Sequence, residues 1–338
     1  MVDGAPLGRR MRITPADFPS FQEAWPWRGP HLQTIRNRVR PPRIVLPPAE
    51  RLRVETRDGT GDTLIGALNR PFEDKGRPLI LLVHGLTGYE DGVYMRATAR
   101  TLLAAGYPVL RLNQRGAGPS RGLCRERYHA GRTHDLRRVL EELPPDLSGR
   151  GVVPVGYSLG GNVVLKLLGE GGAPVPLSAG ASISAPIDLA AASRRFQVPG
   201  NRFYHRYLLT RMKEEMLGGS LPLEGRWARA VRQARSVWEF DDAYVGPANG
   251  WSGAEEYYRV NSALRFLPRI DVPTLVIHAM DDPWIPADAY LSFDWTSNAH
   301  LLPLLSPRGG HVGFHGQGGV WHDRCLEIFL ERLFGHRS

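Results

Sequence analysis

The pattern Gly-x-Ser-x-Gly at residues 156–160 constrains the fold of this 338-residue chain more than any other feature. An apolar run at 152–155 precedes the pattern, and a second apolar segment at 163–168 follows it. This order predicts a strand, a sharp turn and a helix, the context in which such a serine acts as a nucleophile. Ser158 is therefore the first candidate reactive side chain. Because short patterns also occur by chance, its partners must be found in the right order.

The geometry of the turn explains why the pattern has glycine at two positions. A serine at the tip of a tight strand-to-helix turn has strained backbone geometry, so its neighbours two positions away must lack a bulky Cβ. Gly156 and Gly160 meet that need. The helix that begins after Ser158 also directs unpaired N–H groups and the positive end of its dipole at the hydroxyl. An oxyanion formed there would be stabilised.

Short apolar runs alternate with segments of helical spacing along most of the chain. This alternation predicts a mostly parallel sheet with right-handed crossovers and flanking helices. The predicted strands are 51–57, 62–69, 79–83, 109–112, 152–157, 179–185, 273–278 and 300–305. The predicted helices, besides the one after Ser158, are 93–105, 133–143, 207–216, 228–240 and 321–334.

Residues 187–265 interrupt the alternation. They contain no strand run, have helical character and carry many aromatic side chains. We interpret them as a helical lid inserted into a core made of 51–186 and 266–338, because ligand pockets are mainly apolar. Residues 1–50 are rich in proline and arginine without a sustained period, and we expect them to form an irregular arm packed on the core.

Two adjacent carboxylates, Asp281 and Asp282, follow the strand predicted at 273–278. The carboxyl ends of parallel strands meet at one edge of the sheet, so these side chains should lie near Ser158. A nucleophilic serine needs a base and a carboxylate that orients the base, in the chain order serine, acid, histidine. We prefer Asp282 because the following Pro286 has the spacing usual for such an acid loop. Asp281 stays open as the alternative.

His311 completes this order. It follows the last predicted strand, and the glycines around it allow the imidazole to reach Ser158 without a backbone clash. His315 is the rival, and the pair His311-x-x-x-His315 could instead hold a metal on a helix. The glycines argue against a helix there, and two histidines without a third ligand do not make a site. We therefore expect neither a metal nor another cofactor.

An oxyanion hole would complete the site. The N–H of Leu159, the residue after the serine, is one expected donor, and the second comes from the loop after the third predicted strand. That loop is His84-Gly85-Leu86-Thr87-Gly88, in which Leu86 is the natural donor. We interpret His84 as a structural residue of the loop rather than as a base.

Charge and apolar runs exclude other functions. The net charge is +9 and is nearly all arginine. The arginines near the N-terminus alternate with proline and apolar residues, unlike an aromatic-interleaved surface for nucleic acid, so we expect no nucleic-acid partner. The longest apolar run, 78–83, is far too short to span a bilayer, and the first residues lack the apolar segment of a secretory signal. We expect no stable membrane insertion.

The two cysteines indicate the compartment. Cys124 and Cys325 are far apart and have neither metal nor redox spacing. We therefore expect both to be free thiols in a reducing cytoplasm.

Segments outside these positions resemble a known family. With the serine pattern, they identify the chain as similar to the α/β-hydrolase superfamily and, within it, to the YheT-like (AB hydrolase 4) family. The similarity extends over about residues 20–335. The additional residues that carry the resemblance are His31-Leu32-Gln33-Thr34, Phe240-Asp241-Asp242-Ala243-Tyr244, Gly250-Trp251 and Tyr257-Tyr258.

The resemblance implies the α/β-hydrolase fold and triad roles for Ser158, Asp282 and His311. Pro154 departs from the pattern expected of bacterial members, because proline has no N–H for the ladder, and it leaves the register of that strand open. Members of this family are described as carboxylester hydrolases. Related eukaryotic proteins are described as acyltransferases that make medium-chain esters or as phospholipid-cleaving enzymes.

The expected function is hydrolysis of short- to medium-chain carboxylic esters with an apolar acyl chain, through an acyl-serine. Two alternatives stay open. One is an acyltransferase that uses the same triad in a dry pocket, where an alcohol outcompetes water. The other is a non-catalytic binding protein that kept the fold, because fold does not imply function.

Overall fold

An eight-stranded sheet forms the centre of the protein in the computed structural model, which describes residues 13–218 and 221–335. The strands are β1 (Glu50–Glu55), β2 (Thr63–Asn69), β3 (Leu79–Val83), β4 (Val109–Asn113), β5 (Val152–Tyr157), β6 (Gly180–Ile183), β7 (Thr274–Ala279) and β8 (Leu301–Ser306). Their spatial order is β1-β2-β4-β3-β5-β6-β7-β8. β2 pairs antiparallel with β1 and β4, and every other pairing in this sheet is parallel. The predicted fold is confirmed.

Helices cover both faces of the sheet, which explains why its central strands are continuous apolar runs. All residues of β3, β5 and β7 are buried. The helices are α1 (Pro30–Val39), α2 (Val93–Ala104), α3 (Thr133–Glu141), α4 (Pro145–Ser148), α5 (Leu159–Glu170), α6 (Leu189–Arg195), α7 (Arg202–Leu217), α8 (Gly225–Gln233), α9 (Val237–Phe240), α10 (Gly246–Ala248), α11 (Ala254–Asn261), α12 (Asp288–Ser292) and α13 (Trp321–Phe334). One apolar layer joins α2 and α13 to the sheet, and another joins α3 and α5 to its opposite face.

A helical insertion separates β6 from β7. It contains α6 to α11, which share an apolar cluster of their own, apart from the two layers of the sheet. Its helices differ in detail from the prediction. α7 begins at Arg202, and the helix predicted at 228–240 is interrupted between α8 and α9. A π-helical turn, Asp241–Val245, continues α9.

The prediction of an irregular arm at 1–50 is wrong for the segment that forms α1, a ten-residue helix. Pro30 occupies its first turn, where the missing N–H costs nothing. The helix has one fully buried side chain, Gln33, whose amide donates to the carbonyls of Trp27 and His315. Polar tertiary contacts rather than an apolar stripe hold this helix, so periodicity could not reveal it. Residues 1–12 of the arm lie outside the described residues.

Pro154 lies in regular register within β5, opposite Leu81 of β3. On its other side, the strand bridges Leu177 at Val152 and pairs with β6 only from Val155 onward. Because Pro154 falls between these two contacts, its missing N–H leaves the ladder intact. A short hairpin, β9 (His315–Gly316) with β10 (Gly319–Val320), precedes α13.

Candidate active site

The turn between β5 and α5 holds Ser158 in a strained conformation, with φ of 51° and ψ of −123°. A Cβ added to Gly156 would lie 2.3 Å from the Gly160 carbonyl oxygen. A Cβ added to Gly160 would lie 2.4 Å from the carbonyl oxygens of His84 and Val83. Both glycines are therefore required by close backbone approach, and the turn presents the serine hydroxyl at the carboxyl edge of the sheet.

Three side chains from separate loops meet at this edge. The Ser158 hydroxyl lies 3.0 Å from His311 Nε2, and His311 Nδ1 lies 2.8 Å from Asp282 Oδ2. The other carboxylate oxygen, Asp282 Oδ1, accepts the backbone N–H groups of Trp284 and Ile285 at 2.8 and 3.0 Å. These bonds fix the carboxylate, which fixes the imidazole with Nδ1 as donor and leaves Nε2 to accept from the serine.

Asp281 and His315, the two alternatives, have other contacts. Asp281 Oδ1 accepts the backbone N–H of Gly310 at 2.9 Å, and burial raises the pKa of its carboxyl. His315 is buried in β9, where burial lowers the pKa of its imidazole to about 3. Asp281 thus holds the backbone of the histidine loop, and the structure joins only Asp282 to the His311 ring.

Helix α1 of the arm positions the histidine loop. Thr34 Oγ1 accepts the His311 backbone N–H at 2.9 Å, and Gln33 Oε1 accepts that of His315 at 2.6 Å. A Cβ added to Gly310 would lie 2.5 Å from the Pro30 carbonyl oxygen, so the loop packs directly on the helix. The His31–Thr34 segment singled out in the sequence therefore contacts the candidate site, although its role was not predicted.

Trp284 was also missed as a site residue. Its ring stacks on the His311 imidazole, with centroids 4.5 Å apart and planes inclined by 23°. Such stacking restrains the ring, and an aromatic face attracts a cation. The position of Trp284 two residues after the candidate acid was the feature of the sequence that could have identified it as a site residue.

The loop after β3 passes close to Ser158, since a Cβ added to Gly85 would lie 2.9 Å from the serine Cβ. The backbone N–H groups on either side of Leu86 already have acceptors. Gly85 donates to the Tyr94 hydroxyl, and Thr87 donates to the Tyr128 hydroxyl. Within the described residues, the N–H groups of Leu86 and Leu159 have no acceptor. These are the two expected donors of the oxyanion hole.

His84, at the start of the same loop, has a structural role. Its Nε2 accepts the Gln114 backbone N–H at 3.1 Å, and its Nδ1 lies 2.7 Å from the Gly85 carbonyl oxygen. Burial lowers the pKa of His84 to about 4, so the ring is neutral at pH 7. It braces the loop against β4, as the sequence predicted.

A cavity of about 640 Å³ lies between this edge and the helical insertion. Ser158, His311, Leu86 and Leu159 line its sheet side. The insertion contributes mostly apolar side chains to the opposite wall, including Phe196, Leu208, Met212, Trp227, Phe240 and Tyr244. The candidate nucleophile thus faces a space suited to an apolar group.

One group of potential metal ligands occurs among the described residues: Asp58, His134 and Asp135. The Arg115 guanidinium donates to both of these carboxylates, at 2.7 Å to Asp58 and 2.6 Å to Asp135. A cation therefore already pairs with both carboxylates of this cluster, which does not line the cavity beside Ser158.

Comparison with known proteins identifies the family. Residues 78–316 match the family model described as alpha/beta hydrolase fold. The chain is a YheT-like member of the α/β-hydrolase family. It is 32% identical over 314 residues to YheT of Escherichia coli, named provisionally as an esterase, and the match covers 89% of each chain.

Other relatives extend this picture. The chain is 29% identical to a monoacylglycerol lipase of Saccharomyces cerevisiae and 28% identical to phospholipase ABHD3 of Mus musculus. Each match covers 76% of this chain but only 60% and 62%, respectively, of those longer relatives. The YheT-like chain therefore belongs to a hydrolase family whose named relatives act on esters and lipids.

Solved structures share the fold at low identity. An esterase of Pyrococcus furiosus superposes with a TM-score of 0.58 at 18% identity, covering 86% of this chain and 98% of the esterase. A 2,6-dihydroxy-pseudo-oxynicotine hydrolase has the same TM-score and identity and covers 86% of this chain and 69% of that one. Among the described residues, no helix combines the length and apolar character needed to cross a bilayer.

Proposed function

We propose that the chain is a serine-dependent carboxylesterase in which Ser158 is the nucleophile, His311 the general base and Asp282 the carboxylate that orients the base. The observation that carries this proposal is the unbroken hydrogen-bond chain of 3.0 and 2.8 Å that links the three side chains beside an apolar cavity. A nucleophile bonded to a base, itself oriented by a third group, is the arrangement required for acyl transfer.

In the first half-reaction, Ser158 Oγ attacks the ester carbonyl carbon while its proton passes to His311 Nε2. The carbonyl π electrons move to the oxygen and form a tetrahedral oxyanion. Leu86 and Leu159 N–H groups stabilise this charge, and the loss of one such donor typically costs about 10²–10³ in rate. When the intermediate collapses, the alkoxy C–O bond breaks and His311 returns the proton to the departing alcohol.

The second half-reaction repeats these steps with water. His311 takes a proton from water, the oxygen attacks the acyl-serine, and the collapse of the second oxyanion releases the carboxylic acid. The proton returns to Ser158 Oγ, which restores the resting site. Asp282 and the stacked Trp284 stabilise the imidazolium in both halves.

We assign short- to medium-chain esters with an apolar acyl group as substrates. The apolar wall that faces Ser158 supports this assignment, as do the lipase and phospholipase relatives. The insertion would then act as a lid that excludes water from the acyl chain. We also assign the chain to a reducing compartment, the cytoplasm, because Cys124 and Cys325 are both unpaired and buried.

An acyltransferase is the second candidate. A relative from Saccharomyces cerevisiae, 30% identical over 285 residues, is named a medium-chain fatty acid ethyl ester synthase/esterase. The same acyl-serine would be attacked by an alcohol if the cavity kept water out. Product analysis with added ethanol separates the two functions, because only the transferase converts the acyl group mainly into an ethyl ester.

The decisive experiment measures hydrolysis of p-nitrophenyl esters from acetate to palmitate, with Ser158→Ala as the control. We expect a maximum at short to medium chain length and a loss of about 10⁵–10⁶ in kcat for the variant. Labelling by a fluorophosphonate probe should modify Ser158 in the wild type alone. A wild type that neither turns over esters nor reacts with the probe would instead identify a non-catalytic binding protein.

A further inference from the structure

Asp241 belongs to a sequence segment that the proposed triad does not use. It begins the π-helical turn Asp241–Val245 and lies in the wall of the cavity that contains Ser158. Only 8% of its surface is exposed. Because π-helical turns are rare and frequently occur at functional sites, a buried carboxylate on one, beside an apolar cavity, needs an explanation.

The two oxygens of this carboxylate have different surroundings. Asp241 Oδ2 accepts the Tyr258 hydroxyl at 2.6 Å, and the same hydroxyl lies 3.0 Å from Ser193 Oγ. Asp241 Oδ1 accepts no hydrogen bond from any described residue. The neighbouring Asp242 differs, because its Oδ1 accepts the Ala254 backbone N–H at 2.9 Å and it does not line the cavity.

Asp241 Oδ1 keeps some accessible surface in the cavity wall, where the mostly apolar surroundings offer it no donor. Burial raises the pKa of Asp241 to about 7, in keeping with this poor solvation. Ser193 and Tyr258 line the same cavity, so the three residues form a polar patch in a mostly apolar wall. A hydrogen-bond donor on a bound molecule would supply the missing partner.

The cavity is lined by charges of both signs, with Glu126 and Asp91 as well as Arg127. Arg127 lines it and is buried, and its hydrogen bonds go to the backbone carbonyls of residues such as Cys124 and Leu221. Within the described residues, no carboxylate forms an ion pair with this guanidinium. A hydroxyl group is the donor that a neutral ester can bring to Asp241.

We propose that Asp241, supported by Tyr258 and Ser193, forms a subsite that binds a hydroxyl group of the substrate. The preferred ester would then carry a hydroxyl group in addition to its apolar chain. This inference rests on the proposed esterase function and adds a substrate class to it. The hydroxyl group has two sources, the acyl chain or the alcohol portion, and the test distinguishes them.

The test compares kcat/KM for methyl decanoate, methyl decanoates hydroxylated along the acyl chain, and decanoylglycerol, all at pH 8. We expect the wild type to prefer one hydroxylated ester by about tenfold or more, the effect of one hydrogen bond to a charged group. The preferred probe identifies the source of the hydroxyl group. Asp241→Leu should abolish the preference, because kcat/KM for the hydroxylated ester falls to that for methyl decanoate.

Two further variants control the interpretation. Asp242→Asn, one residue away, should keep the full preference. Asp241→Asn retains an oxygen for Tyr258 and the shape of the side chain, so it is the test variant if Asp241→Leu does not fold. It should lose a substantial part of the preference, because a charge-assisted hydrogen bond is about twice as strong as a neutral one.

Two outcomes would overturn the subsite. One is a wild type that treats all these esters alike, and the other is an equal loss on every ester in a folded Asp241 variant. Fluorophosphonate labelling separates such a result from failure of the esterase itself. If Ser158 is labelled and methyl decanoate is cleaved, only the subsite is wrong. If the wild type neither reacts with the probe nor cleaves any ester, both proposals fail.

Discussion

The sheet edge and the helical insertion each hold a buried carboxylate, one behind His311 and one in the cavity wall, and the two differ in how completely they are hydrogen-bonded. Asp282, on the loop after β7, accepts two backbone N–H groups and the His311 ring. Asp241, in the insertion, accepts one hydroxyl. The edge is therefore preorganised for one arrangement, whereas the insertion keeps hydrogen-bonding capacity for a ligand. Reaction geometry and substrate choice are assigned to different regions of the molecule.

Packing shows the same contrast. Every residue of β3 is fully buried between two helical layers. In the insertion, Met212 belongs to the apolar cluster and also lines the cavity, so part of its surface is available to a ligand. A core strand stabilises the fold, whereas a lining residue of the insertion shapes the cavity beside Ser158.

The largest expected effect separates the two adjacent carboxylates of the sheet edge. Asp282→Asn should lower kcat on p-nitrophenyl butyrate by about 10⁴, because the amide no longer holds the imidazole in the required tautomer. Asp281→Asn keeps an oxygen for the Gly310 N–H and should cost less than about tenfold. Steady-state kinetics on both variants checks this, and similar losses would contradict the assignment of the acid.

A pair of truncations compares core with insertion. Leu81→Ala in β3 should lower the free energy of unfolding by about 2–5 kcal/mol, because it leaves a void between packed layers. It should not move the acyl-length optimum. Met212→Ala should enlarge the cavity and shift that optimum to longer chains. Urea unfolding measures the change in stability, and the p-nitrophenyl ester series measures the acyl-length optimum. A shifted optimum in Leu81→Ala would contradict the assignment of chain-length preference to the insertion.

The buried acids of the insertion predict a pH dependence of stability. Burial raises the folded-state pKa of Asp241 to about 7, and that of Glu215, on α7, to about 7. Between about pH 4 and 7 the folded state then binds more protons than the unfolded chain, so the free energy of unfolding falls as pH rises through this window. Below it, both states are protonated and the difference vanishes.

Asp241→Asn mimics the neutral acid, so it should remove the part of the pH-dependent loss of stability that Asp241 causes. The variant should match the wild type near pH 3 and exceed it at pH 8 by about 4 kcal/mol, while the Glu215 contribution remains. Urea unfolding at the two pH values provides the measurement. A variant less stable than the wild type at pH 8 would show that the ionised carboxylate is satisfied in the folded protein.

The smallest effect concerns the ring that stacks on His311. Trp284→Leu should lower kcat by about tenfold, because the imidazolium loses an aromatic face worth about 1–2 kcal/mol. Trp238→Leu, at a tryptophan 40% exposed on α9, is the matched control and should leave kcat unchanged. An unaffected Trp284→Leu enzyme would mean that Asp282 alone fixes the ring.

Local patterns were sufficient for much of the sheet and for the turn at Ser158. The predicted bounds of β3, β5 and α13 agree with the structure, because buried strands and amphipathic helices leave a period in the chain itself. The glycines around Ser158 were also readable, because a backbone clash is a local constraint. α1 was missed because Gln33 and Thr34 hold it through bonds to a loop near the other end of the chain.

The residues alone predicted the alternation of strands and helices in the core, the strained serine turn and the candidates for acid and base. Folding brings Asp282 rather than Asp281 to His311, stacks Trp284 on its ring and places Asp241 in the cavity wall. The physical reason is distance along the chain. Period and backbone sterics act between near neighbours, whereas the orientation of a side chain depends on partners that only folding brings together.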